Sequence, residues 1–171
     1  LGAQTGTWDN SKLDIVSDIT SIPVDNSSFD VVLCSEVIEH VPNPLEALKE
    51  LARILKKDGL IILTAPFISA THFAPYHFCT GFSKYFYEKH LTELGFEIIE
   101  LTQNGNFFES VAQELQILNS FAIKYTNKGL NIFERISRYI ILRKLKKLSK
   151  LDLNSKEYLC YGYHVLAKKI I

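Results

Sequence analysis

The 171-residue sequence predicts an α/β fold: a mostly parallel sheet with flanking helices and a helical insert before the last strand. Three observations carry this. Short apolar runs, "FDVVLC", "LIILTAPF" and "FEIIELTQ", alternate with segments of helical period. The intervals between the runs suit helical crossovers rather than hairpins. After Gly105 the period changes, and two long helical patterns interrupt the alternation.

Taken in order, "KLDIVSDITSIP" (12–23) reads as a short strand centred on Leu13–Val16, leaving through a loop that ends at Pro23. "VDNSSF" is a polar turn. The valine-rich run 29–34 has the pattern of a strand covered on both faces. Pro42 and Pro44 bracket a turn, and Asn43 is placed to cap the helix of "PLEALKELARILKK". In that helix Leu45, Leu48, Leu51, Ala52 and Leu55 share one face, and Asp58-Gly59 is the expected stop after Lys56 and Lys57. "LIILTAPF" is a second doubly covered strand, followed by a loop from Ile68 to Thr80 that is dense in histidines and aromatics. Residues 82–94 read as a helix closed by Gly95, and "FEIIELTQ" as the next strand. Helices are expected over 107–121 and 130–148, then a final strand in "EYLCYGYHVLAKK". The expected organisation is one partial domain, 1–171, containing a helical insert at 106–150.

Composition narrows the function classes. Hydrophobic residues are 47% and charged residues 22%, which excludes a disordered chain. The formal net charge of zero gives no overall field for nucleic acid, so none is expected as partner. Cys34, Cys79 and Cys160 are widely spaced and form no CxxC pair, so neither a disulfide framework nor a metal site is expected, and a reducing cytoplasmic location is. The sequence has no methionine, even at position 1, and is read as starting inside a longer reading frame.

Ligands of such sheets bind beyond the carboxyl ends of the strands. "CSEVIEH" (34–40) lies at one such end, which explains why an apolar strand runs into so polar a cluster.

"DITSIPVDNSSFDVVLCSEVIEHVPNPLEALKELARILKKDGLIILTAPF", with "LTELGFEIIEL" after it, resembles the central motifs of class I S-adenosylmethionine-dependent methyltransferases of the type 11 kind. A weaker likeness, in "HFAPYHFCTGFSKYFYEKHL", is to members acting in surface-polysaccharide or glycan pathways. The resemblance implies a Rossmann-like fold whose first strand and glycine-rich loop would precede residue 1. It also implies S-adenosylmethionine as cofactor and methyl transfer to a small-molecule or glycan acceptor. By the same resemblance Asp18 would accept from the adenine amino group, with the Ile19 backbone at the ring edge. Cys34, Ser35 and Glu36 would wall the methionine part of the cofactor, and Gln4 would stand where relatives place an acid on the ribose. Asp18 has a second reading, as a loop residue capping a turn. Glu39 and His40 read equally as turn residues or as pocket residues.

A hydroxyl acceptor calls for a base that is neutral near physiological pH, which is histidine chemistry. His77 is the first candidate and His72 the second, with Phe73 and Phe78 as apolar walls and Tyr76 nearby; the alternative is that both imidazoles simply pack in an aromatic loop. His90 reads as a surface residue. The segment 134–150 combines seven basic residues with an apolar stripe, so a degenerate module that binds a partner or an anionic membrane surface is the competing function. A nicotinamide-linked oxidoreductase is disfavoured, because "EVIEHV" and "LKKDGLIIL" do not belong to it. Oligomeric state is not legible.

Overall fold

The computed structural model describes residues 11–171. They form two compact units, one of 11–102 with 162–171 and one of 103–161. The sheet contains β1 (Phe29–Ser35), β2 (Leu55–Pro66), β3 (Phe96–Asn104) and β4 (Gly162–Lys169), with α1 (Pro44–Ile54) and α2 (Lys84–Glu93) between the first three. Strand order is β1-β2-β4-β3. β1 and β2 run parallel, from Val31 opposite Leu60 to Ser35 opposite Thr64. β4 is antiparallel to β2, so the sheet is mixed: the last strand inserts between β2 and β3 instead of extending an edge.

α1 begins as its sequence dictates. Asn43 Oδ1 accepts from the Glu46 amide at 3.4 Å, and Ala47, Leu48, Leu51 and Ala52 turn into the core. Its end differs from expectation. The helix stops at Ile54, and Leu55 already pairs with Phe29. Lys56, Lys57, Asp58 and Gly59 therefore belong to β2, and an irregular register between Phe29 and Val31 absorbs them. The cation at the helix C-terminus comes from the far end of the chain: Lys169 Nζ donates to the carbonyls of Ala52 (2.8 Å) and Leu55 (2.9 Å).

Neither long strand is covered on both faces among the described residues. In β1, Val32 and Cys34 are buried while Val31 is 53% and Leu33 68% exposed; in β2, Ile61, Leu63 and Ala65 are buried and Ile62 is not. The expected strand around Leu13–Val16 is absent. Only an isolated bridge, Asp18 with Ser21, forms there, and Leu13 and Val16 are exposed. The chain beyond Ser21 is held by a polar clamp from α1. Glu50 Oε1 accepts from the Ile22 amide (2.6 Å), and the Arg53 guanidinium donates to the carbonyls of Ile22 (2.9 Å) and Val24 (2.8 Å).

The second unit contains α3 (Phe107–Thr126) and α4 (Ile132–Lys150), both longer at their C-termini than the periodicity suggests. Asn106 caps α3, accepting from the Glu109 amide at 3.1 Å, and Asn127 in the left-handed conformation ends it. Asn131 and Glu134 form a capping box on α4. Neither helix has a fully buried residue. No helix among the described residues is long and apolar enough to cross a membrane.

Candidate functional site

The parallel register brings the carboxyl ends of β1 and β2 side by side. There the Thr64 hydroxyl donates to Glu36 Oε1 at 2.8 Å, so Ser35 Oγ, 2.8 Å from Thr64 Oγ1, is the donor to Thr64. The Glu36 amide donates to the Thr64 carbonyl (2.9 Å), and Glu36 itself turns the chain out of the strand with φ 53°. A carboxylate is thereby fixed at the strand end by one hydroxyl relay.

A hollow of about 330 Å³ is lined by Ile19, Val32, Cys34 and Val37 among others, and Ser35 and Glu36 are not among its lining residues. Cys34 is buried, and burial, then the Glu39 charge, pushes its thiol up to about 12; it is no nucleophile. Ile19 faces this hollow, but Asp18 is not among its lining residues. Asp18 sits in a turn rather than at a strand end. Its Oδ1 accepts from the Thr20 hydroxyl (2.6 Å) and the Thr20 amide (2.8 Å), and these two bonds hold its carboxyl below the ordinary carboxylate range. Gln4 lies outside the described residues.

The loop after β2 closes on itself and on the turn after β1. The Ser69 amide donates to the Thr80 carbonyl (2.7 Å), and the amides of Phe78 and Cys79 both donate to the Glu39 carbonyl at 3.1 Å. This brings His72 and His77 to His40: ring centroids are 4.8 Å apart for His40 and His72, 4.8 Å for His72 and His77, and 6.3 Å for His40 and His77. Phe73 packs on His40 at 5.0 Å, whereas Phe78 and Tyr76 are exposed and form no wall. His40 Nδ1 donates to the Tyr76 carbonyl (2.5 Å) and His72 Nδ1 to the Ala70 carbonyl (3.0 Å). Both nitrogens of His77 are shielded from solvent and have no hydrogen-bond partner. Burial, then the neighbouring His72 and His40, pulls its pKa below the usual histidine value, so the ring is neutral at physiological pH.

One residue absent from the sequence-level site, Thr64, emerges here, and Glu39, read there as a turn or a pocket residue, points inward. Thr64 was read only as strand. Glu39 is fully buried, its carboxylate oxygens have no hydrogen-bond partner, and Oε1 stands 3.6 Å from His40 Nε2. Burial pushes its carboxyl above the ordinary range. Nothing in "EVIEH" announces this inward turn; the short 3-10 helix Ile38–His40 produces it. His90 packs on Phe86 (4.8 Å) and faces Glu93 on α2, away from any role in the cluster.

Residues 4–63 match a family described as a methyltransferase domain. This match takes in about a third of the chain. A ubiquinone biosynthesis O-methyltransferase of Glaesserella parasuis is 42% identical over 40 residues, 23% of this chain and 17% of the relative. A demethylmenaquinone methyltransferase of Chlamydia muridarum is 38% identical over 55 residues, 30% of this chain and 24% of the relative. The matched stretches thus span a quarter or less of these relatives' own lengths. Among solved structures, an S-adenosylmethionine-dependent methyltransferase from Archaeoglobus fulgidus is similar in fold, with TM-score 0.52 and 17% identity over 93% of this chain and 69% of that one. The likeness is one of fold, a Rossmann-like α/β arrangement. The [4+2]-cyclase SpnF is similar too, with TM-score 0.50 and 16% identity over 91% of this chain and 54% of that one, so the fold alone does not name a reaction.

Proposed function

We propose that this chain is the core of an S-adenosylmethionine-dependent methyltransferase that methylates a hydroxyl of a small-molecule or glycan acceptor. One observation carries the reading: Ile19 and Cys34 line one hollow, and Cys34 runs straight into the Ser35–Thr64–Glu36 relay at the strand ends, with Ile19 to Glu36 inside the stretch that matches methyltransferase domains. The donor, when bound, supplies an electrophilic methyl group on a cationic sulfur. Glu36 offers that cation a fixed counter-charge. The Ile19 backbone and the Asp18 carboxylate would meet the adenine, and Gln4 the ribose. Cys34 and Ser35 shape the wall between them.

On the acceptor side His77 takes the hydroxyl proton while the oxygen attacks the methyl carbon and the carbon–sulfur bond breaks. Its protonation state suits a base, because the ring is neutral where most histidines are already titrating. His72, edge-on to it, is the second candidate. An oxygen acceptor is preferred because a relative bears the name of an O-methyltransferase.

Calorimetry of the full-length protein with S-adenosylmethionine and S-adenosylhomocysteine tests the donor site. Saturable binding is expected, and Asp18→Ala should weaken it by about tenfold, the scale of one net hydrogen bond. No binding of either compound at high micromolar concentration overturns the methyltransferase reading. Unchanged affinity in Asp18→Ala removes that residue from the site.

A further inference from the structure

We propose that His40, His72 and His77 form a binding site for a divalent first-row transition cation, with Zn²⁺ the best fit and the buried Glu39 as its charge partner. The three imidazoles offer one nitrogen each within 4.8 Å of one another. In a tetrahedral site with Zn–N near 2.0–2.1 Å those nitrogens stand about 3.4 Å apart, so modest ring rotations close the set.

The rings are prepared for it. His40 and His72 each donate Nδ1–H to a backbone carbonyl, of Tyr76 and Ala70, which fixes the tautomer and leaves Nε2 with its lone pair. This is the support that metal-bound histidines use. The His40 Nε2 lone pair then faces Glu39 Oε1 at 3.6 Å. Two acceptors facing each other need a positive charge between or beside them. A proton shared by Glu39 and His40 would satisfy that pair alone. It would leave both nitrogens of His77 shielded without a partner, which is costly for such a group. A cation answers the lone pairs of all three rings and the carboxylate's charge together. Three imidazoles without a carbonyl or water cage select zinc, cobalt or nickel over magnesium or calcium.

The cation site stands on this cluster and does not depend on methyl transfer. It bears on the reading above in one respect: a bound cation would occupy a lone pair that His77 needs as base.

The test uses the full-length protein, stripped with a chelator and titrated with Zn²⁺ alone, read by metal analysis after dialysis and by the shift in Tm. One equivalent should bind and raise Tm, and Co²⁺ added to the stripped protein in its place should give the visible absorption of a tetrahedral nitrogen-ligated site. His77→Ala breaks no hydrogen bond, and should weaken binding by roughly 100-fold while removing the Tm shift. His77→Gln, closer in size, serves if the alanine variant fails to fold, and His90→Ala should bind as the native protein does. Absence of saturable binding overturns the inference, as does binding that His72→Ala and His77→Ala leave unchanged. Cation binding without donor binding sinks the methyltransferase reading alone; donor binding without cation binding sinks this inference alone.

Discussion

The strand-end region of the first unit and the helical hairpin of the second solve the problem of polar groups in opposite ways. Around β1 and β2, a fully buried carboxyl and a shielded imidazole lie without hydrogen-bond partners inside a well-packed core. In α3 and α4 no residue is fully buried, and apart from Arg138 Nε, which is shielded without a partner, the polar side chains between the helices bond one another. Asn106 Nδ2 donates to Ser149 Oγ (3.1 Å), Ser149 Oγ to Glu109 Oε1 (2.9 Å), and the Leu130 amide to Asn119 Oδ1 (2.9 Å). The difference separates chemistry from scaffolding. Polar groups left unanswered in a dry place are poised to meet a ligand or an ion, whereas capped and bridged ones hold a shape.

The contrast can be broken first by truncation. Leu63→Ala, at a fully buried site in β2, should cost about 2–5 kcal/mol in denaturant unfolding, while Ile136→Ala on half-exposed α4 should stay within about 0.5 kcal/mol. Comparable losses at the two positions would show that the hairpin is a core element after all.

A smaller effect sharpens the polar side of the comparison. Glu39 has its folded pKa raised, so between the ordinary carboxylate value and that raised value the native state holds a proton that the unfolded chain has lost. Its contribution makes stability fall as pH rises through that window. Glu50 behaves oppositely. The Arg53 hydrogen bonds lower its folded pKa, and the stability it adds is present above the ordinary carboxylate value and lost as pH falls through the depressed one. In chelator-stripped protein Glu39→Met should therefore stabilise the fold by about 1–3 kcal/mol at neutral pH and remove the downward slope. Glu50→Gln should flatten the acid limb instead. A Glu39→Met variant that unfolds more easily at pH 7 would mean that the carboxylate already has a partner.

The smallest expected change lies in the hairpin. Asn131→Ala removes one half of the capping box and should cost about 1 kcal/mol, seen as a lowered Tm, with donor affinity unchanged.

Much of the frame was legible because local rules and tertiary demands agree. Asn43 caps a helix whose apolar face is spaced for burial, Gly95 with φ 80° closes α2, and "TNKG" separates α3 from α4. The failures occur where partners distant in sequence decide. Lys56 to Gly59 look like a helix terminus, yet Leu55 finds Phe29 and draws them into β2. Leu13 to Val16 have strand composition but no described strand beside them, and the Glu50–Arg53 clamp holds only the chain beyond them, at Ile22 and Val24. The site divides the same way. That Cys34, Ser35 and Glu36 end a strand was readable from the apolar run before them. The meeting of His40 with His72 and His77, and the inward turn of Glu39, depend on a loop fold that no spacing encodes.

The position of β4 carries a consequence for how the molecule comes into being. Leu60 finds its antiparallel neighbour only at Lys168, and the ammonium that finishes α1 belongs to Lys169. A ribosome therefore releases the first three strands before the wedge that separates two of them exists. The hairpin of α3 and α4, built from contacts near in sequence, can be finished while the earlier sheet still waits. Chaperone capture during synthesis should fall on β2, whose open edge goes uncovered longest.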